Sequence, residues 1–278
     1  MRILIAKLFK QLFKTPFLKT RFYGIHQRIF KPYNLFKGVV CSVNYQGFKL
    51  QLKLDDWIQE NIFFLGEYEK AELIVLADHL KEGETFLDLG ANLGVFSLHA
   101  SRIVGKTGKV ISFEPFSINH NALKKHIEIN GLKNVKIEKL AVGSESGTIT
   151  LYHDETEENL GMVTANYVEN AVVEEVKMVS IDEYLETYPE LSIDFIKIDI
   201  EGFEYETLLG LENTLKKHQP PILIEILDEI ENEKSQVKVQ QLLFNLGYQK
   251  HFINDEGQLS ETPVCLQRKN YFFTFNKS

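Results

Sequence analysis

The 278-residue chain is 44% apolar and 25% charged, the profile of a soluble globular protein with material for one substantial domain and an appendage. Its net charge of −8 is unevenly spread: residues 1–54 hold eleven Lys and Arg and no Asp or Glu, so the remainder carries 20 basic against 39 acidic residues, a net −19. An acidic body disfavours a polyanionic partner such as nucleic acid, no apolar run approaches the length of a membrane span, and Cys41 and Cys265 have no metal-ligand spacing.

From the N-terminus, residues 3–14 predict a helix with Leu4, Ile5, Leu8, Phe9, Leu12 and Phe13 on one face and Lys7, Lys10, Gln11 and Lys14 opposite. The lysines interrupt the apolar residues too regularly for a signal peptide, which together with two unpaired thiols gives the expectation of a cytoplasmic protein. Thr15-Pro16 closes the helix, and a basic stretch with Phe17, Leu18, Phe22, Tyr23, Phe30, Tyr33 and Phe36 follows. Basic charge mixed with bulky apolar side chains suits a surface segment, residues 1–37, lying on the anionic inner face of a membrane. The same face could instead pack on the main domain or on a second subunit of a homodimer. Val39–Leu54 alternates around Tyr45-Gln46-Gly47 as a β-hairpin, so residues 1–54 form the extension and 55–278 the main domain. Asp55-Asp56 caps a helix to about Phe64, and Gly66-Glu67-Tyr68-Glu69 starts another to about Leu80.

The first core strand, Thr85–Leu89, ends in Gly90-Ala91-Asn92-Leu93-Gly94 and opens a helix. Gly90 can take backbone angles closed to other residues, both glycines let the main chain approach a ligand, and the first helical N–H groups point there. The next strand, 109–113, ends in Glu114, placed to take two vicinal hydroxyls, as in the ribose-reading half of a Rossmann-type fold. Asp88-x-Gly90-x-x-x-Gly94 is not the dinucleotide fingerprint; it is the spacing used for S-adenosylmethionine. Further strands are predicted at 135–141, 194–200, 220–227, 248–253 and 270–275, with helices at 94–103, 117–130, 204–217 and 235–246. This alternation is that of a doubly wound, mostly parallel sheet. Extra strands Thr148–His153 and Val176–Ile181 flank an acidic insertion, Asp154–Glu175, that could serve as a substrate lid.

The fourth core strand reads Asp194-Phe195-Ile196-Lys197-Ile198-Asp199-Ile200-Glu201-Gly202-Phe203-Glu204. Alternation sets Phe195, Lys197 and Asp199 on one side, and charges in so apolar a strand are costly unless Lys197 and Asp199 neutralise each other or meet a ligand. Glu225, in Pro221-Ile222-Leu223-Ile224-Glu225, is a second acid aimed at the same sheet edge.

These segments, with Leu140-Ala141-Val142-Gly143 and Phe113-Glu114-Pro115, resemble a FkbM-type S-adenosylmethionine-dependent methyltransferase in the family's order over residues 55–275. The resemblance implies a seven-stranded class I methyltransferase fold and methyl transfer, often to a hydroxyl of a sugar, glycolipid or natural product. It also implies that Asp88, Gly90, Asn92 and Gly94 hold the methionine end of the cofactor, that Glu114 takes the ribose, and that Ala141 lies by the adenine. Glu69 and Pro115 join that cofactor set, and Asp199 sits at the transfer site. The basic arm lies outside the resemblance.

A hydroxyl is a poor nucleophile until a base accepts its proton. Asp199 is the first candidate for that base, or for the group that orients the acceptor; Glu201 and Glu225 come next, and His153 is weaker. Asp199, Glu201 and Glu225 could also hold a divalent metal, which stays unassigned. The rival functions are N-methylation of a protein or amine, and a cofactor-binding or membrane-tethering protein that no longer catalyses.

Overall fold

In the computed structural model, which describes residues 1–153, 171–226, 233–263 and 269–276, the chain divides at Tyr68 and Glu69 into two units. The first unit begins with α1 (Arg2–Leu12), α2 (Pro16–Lys19) and α3 (Phe22–Ile25), which runs on into a π-helical turn over His26–Phe30. The apolar arc of α1 is too broad for one contact. Ala6, Phe9 and Phe13 turn inward, where Phe13 meets Phe22 edge-on at 5.1 Å between ring centres and Phe9 meets Phe30 at 5.0 Å. Leu4, Leu8 and Leu12 are exposed instead, so the single apolar face expected from the sequence is split in two. Phe30, Phe36 and Phe64 complete the aromatic core.

Strands β1 (Val40–Tyr45) and β2 (Phe48–Lys53) form the expected hairpin, with Gln46 and Gly47 both at positive φ (48° and 88°), as a two-residue turn between right-twisted strands requires. The Asp56 carboxylate caps α4 (Trp57–Glu60), accepting from the Gln59 N–H at 2.8 Å. A second π-helical turn, Asn61–Leu65, then ends at left-handed Gly66.

In the second unit α5 (Lys70–His79) starts after left-handed Glu69, four residues later than the expected Gly66. There follow β3 (Thr85–Leu89), α6 (Val95–Val104), β4 (Lys109–Phe113), α7 (Ser117–Ile129), β5 (Val135–Glu138), β6 (Ala141–Val142), β7 (Gly147–His153) and β8 (Val172–Val179). The chain continues through α8 (Ile181–Glu186), β9 (Phe195–Ile198), α9 (Glu204–Leu209), α10 (Glu212–His218), β10 (Ile222–Glu225), α11 (Glu233–Asn245), β11 (Tyr248–Ile253), β12 (Leu259–Ser260) and β13 (Asn270–Phe275).

The main sheet runs β12-β11-β13-β10-β9-β3-β4-β5. Strands β5, β4, β3, β9 and β10 are parallel neighbours, while β13 is antiparallel to both β10 and β11. This is the seven-stranded, Rossmann-like class I methyltransferase arrangement, with two-residue β12 added at one edge. Buried on both faces, β3, β9 and most of β10 are continuous apolar runs broken only at Asp88 and Lys197.

Two expected elements are divided. The strand foreseen over 135–141 is β5 in the main sheet plus β6 in a separate sheet ordered β6-β8-β7. The helix foreseen over 204–217 breaks at Gly210, where a Cβ would lie 2.0 Å from the Gly143 carbonyl oxygen. The Asp182 carboxylate accepts the Asn213 and Thr214 N–H groups at the start of α10. The centre of the lid segment (154–170), residue 227 of the fifth strand and Cys265 lie outside the described residues.

Candidate active site

All the expected site residues lie in the second unit. Parallel register sets Lys197 opposite Asp88 on adjacent strands, near the carboxyl edge of the sheet. Asp88 is fully buried. Its Oδ2 accepts from Ser97 Oγ at 2.5 Å, and Ser97 Oγ also meets Ser112 Oγ at 2.7 Å. Among the described residues, Asp88 Oδ1 has no hydrogen-bond partner. Burial raises the Asp88 pKa, against the pull of Lys197 and Ser97. The two serines were missed in the sequence; their placing, one turn into α6 and inward on β4, was the available signal.

Both glycines take the positive φ expected of them, and each also makes room within the protein itself. A Cβ on Gly90 (φ 82°) would lie 1.8 Å from the Asp199 carbonyl oxygen, and one on Gly94 (φ 91°) 2.3 Å from Leu123 Cδ1. The space each leaves is filled by the protein's own atoms: Gly90 lets the turn close against β9, and Gly94 seats α6 on α7. Asn92, left-handed at φ 50°, directs its N–H to Glu114 Oε2 at 2.8 Å. Glu114 Oε1 accepts from the Phe116 N–H at 3.0 Å, across Pro115. Two backbone donors thus fix the carboxylate, and each oxygen keeps a lone pair for a further donor. Burial nonetheless lifts its pKa to about 7, those two donors opposing and Asp88 and Asp199 reinforcing the rise.

Beyond Lys197 the chain presents a group of acids. Lys197 Nζ pairs with Asp199 Oδ2 at 2.8 Å, the neutralisation expected from strand alternation, and lies 4.8 Å from the centre of the Phe96 ring. Burial alone would lower the Lys197 pKa, but Asp199, Asp88 and Glu69 raise it, so the ammonium persists. Carboxylate oxygens of Asp199, Glu201 and Glu225 all come within 4.8 Å of one another. Burial acts to raise Asp199, yet Lys197 and a hydrogen bond from Glu225 bring it below its ordinary value. Glu225 is pushed up to about 9 by burial and by Asp199, and Glu201 to about 8 by burial, Asp199 and Glu204. Glu225 hydrogen-bonds Asp199, and burial beside that charge favours the protonated forms of Glu225 and Glu201. Each of the three carboxyls could offer one oxygen to a hard cation.

The remaining expectations are placed as follows. Glu69 is half-buried at the N-terminus of α5 and adds to the field on Lys197. Ala141 is buried in β6, outside the main sheet. His153, at the end of β7, is buried, its Nδ1 without a hydrogen-bond partner among the described residues, and its ring lies 5.4 Å from that of Phe116, two residues beyond Glu114.

A buried acid after the second strand, a glycine turn after the first and an acidic group after the fourth, on this strand order, define a methyltransferase-type nucleoside fold. Among known proteins, the model of the methyltransferase FkbM domain matches residues 88–250, more than half of the chain, and the protein belongs to that family. It is 22% identical over 160 residues to Methyltransferase 1 of Beauveria bassiana (strain ARSEF 2860), covering 51% of this chain and 64% of that protein. It is 25% identical over 199 residues to Methyltransferase sdnD of Sordaria araneosa, covering 61% and 75%. The chain thus spans just under two thirds of the Beauveria protein's length. The crystal structure of methyltransferase FkbM from Methylobacillus flagellatus KT is similar with a TM-score of 0.46 and 14% identity, over 78% of this chain and 52% of that one.

Proposed function

We propose that the protein is an S-adenosylmethionine-dependent methyltransferase acting on a hydroxyl of a sugar, glycolipid or natural product. The observation that carries this reading is that two nucleoside-suited acids, Asp88 with its orphan oxygen and Glu114 with free lone pairs, lie beside the Asp199–Glu201–Glu225 group. The group fits the cofactor: it has acceptors for ribose hydroxyls and for an ammonium. Glu114 would hold the ribose, and Asp88, Asn92 and the turn backbone the amino-acid end. Glu69, Pro115 and Ala141 stand as further cofactor contacts.

When bound, S-adenosylmethionine supplies an electrophilic methyl group; the protein's task is alignment and a place for the acceptor's proton. The acidities divide that task between the carboxylates. Asp199, held ionised by Lys197, accepts a hydrogen bond from the acceptor hydroxyl and orients it. Glu201, with a pKa of about 8, is better matched as the base. This revises the order of candidates drawn from the sequence. Glu225 keeps its proton on Asp199 and holds that side chain in place.

A panel of glycans, glycolipids and polyol natural products, incubated with methyl-labelled cofactor, tests the reading. Label recovered as a methyl ether, with kcat/KM rising through about pH 8 and that limb lost in Glu201→Gln, is expected. Label on nitrogen, or a Glu201→Gln profile like the parent's, would overturn the hydroxyl acceptor or the base assignment respectively.

A further inference from the structure

We propose that α1 and the turns after it form a docking surface for an anionic lipid bilayer, a property that stands apart from methyl transfer. The inner side of α1 is already satisfied: Ala6 and Phe13 are buried and Phe9 stacks in the aromatic core. Leu4, Leu8 and Leu12, spaced i, i+4 and i+8, form a second row that is 71%, 60% and 41% exposed. Packing of the unit does not demand this row, and soluble surfaces seldom repeat leucine in this way. Beyond it Phe17, Tyr23, Ile29 and Tyr33 are exposed as well, and aromatic rings of this kind favour the headgroup level of a bilayer.

Charge selects the occupant. Lys7, Lys14, Arg21, Arg28, Lys31 and Lys37 are all exposed, and residues 1–54 contain no acid. The Glu67 carboxylate pairs with Lys19 at 2.7 Å. A second copy related by a two-fold axis would set this basic surface against itself. Nucleic acid would answer the lysines and arginines but leave the leucine row in water. An anionic bilayer answers both, taking leucines into the acyl boundary and basic groups to its phosphates.

The test is co-sedimentation of the full chain with vesicles of phosphatidylcholine alone and with roughly a third phosphatidylglycerol. Binding confined to the anionic vesicles and weakened by salt is expected. It should fall at least about tenfold in Leu4→Gln/Leu8→Gln/Leu12→Gln and in Lys7→Gln/Lys14→Gln/Arg28→Gln, each checked for unchanged circular dichroism. No binding, equal binding to neutral vesicles, or a leucine variant that binds like the parent would overturn the proposal. So would light scattering that shows a dimer dissolved by the leucine substitutions without vesicle binding.

Discussion

Asp88 and Glu114 are both buried acids, but they are held in different ways, and the difference sets what each substitution should do. Asp88 has one hydroxyl partner, Ser97, and one orphan oxygen. Ser97→Ala should therefore remove the hydroxyl donor, leaving the carboxylate the Ser97 backbone N–H and the field of Lys197, and cost about 1 kcal/mol of stability, read as a lowered melting temperature. Glu114 has two backbone donors and titrates near pH 7. Its ionised form accepts hydroxyls with both oxygens, so affinity for S-adenosylmethionine should strengthen from pH 6 to pH 8. Glu114→Gln should weaken binding at pH 8 and flatten that dependence, as titration calorimetry at several pH values would show. Both acids could be picked out in the sequence, because an acid ending an apolar run must have a purpose. Their partners could not: Ser97 and Ser112 are ordinary residues until the α6 helix folds over β4.

At the scale of elements, the glycine turn shows why a motif can be legible while its physics is not. The spacing Asp88-x-Gly90-x-x-x-Gly94 marked the loop, yet the atoms that exclude a side chain there come from residues more than 25 positions further along, Leu123 and Asp199. At Gly90 the obstacle is backbone, whereas at Gly94 it is the tip of a flexible leucine. Gly90→Ala should therefore abolish soluble folding or lower the melting temperature far more than Gly94→Ala, with thermal denaturation of the two variants as the check. The core strands were equally plain, since parallel strands buried on both faces leave unbroken apolar runs. The breaks after Glu138 and at Gly210 were hidden, because the first depends on β6 pairing with β8 and the second on Gly210 meeting the Gly143 backbone.

For the whole molecule, the gathered acids link stability to pH. Glu114, Glu201 and Glu225 have folded pKa values of about 7, 8 and 9, above the usual 4.5 of an unfolded chain. Between those limits the folded state binds more protons than the unfolded one, so stability from these groups is present at acid pH and lost as pH rises through 7 to 9. Melting temperature should fall from pH 6 to pH 9, by an amount on the order of several degrees, and Glu225→Gln should reduce the fall. The charge division of the chain, a basic arm and an acidic body, was evident from composition alone. Which acceptor would meet the Asp199–Glu201–Glu225 group is read by shape and loops that composition does not encode. The most direct test of the cofactor assignment is calorimetric titration of the full chain with S-adenosylmethionine, with NAD as control and Glu114→Ala alongside. Saturable binding at about micromolar affinity, absent for NAD and weakened at least about tenfold by the substitution, is the expected result. A folded protein that takes up no S-adenosylmethionine, or binds it equally well without the Glu114 carboxylate, would contradict it.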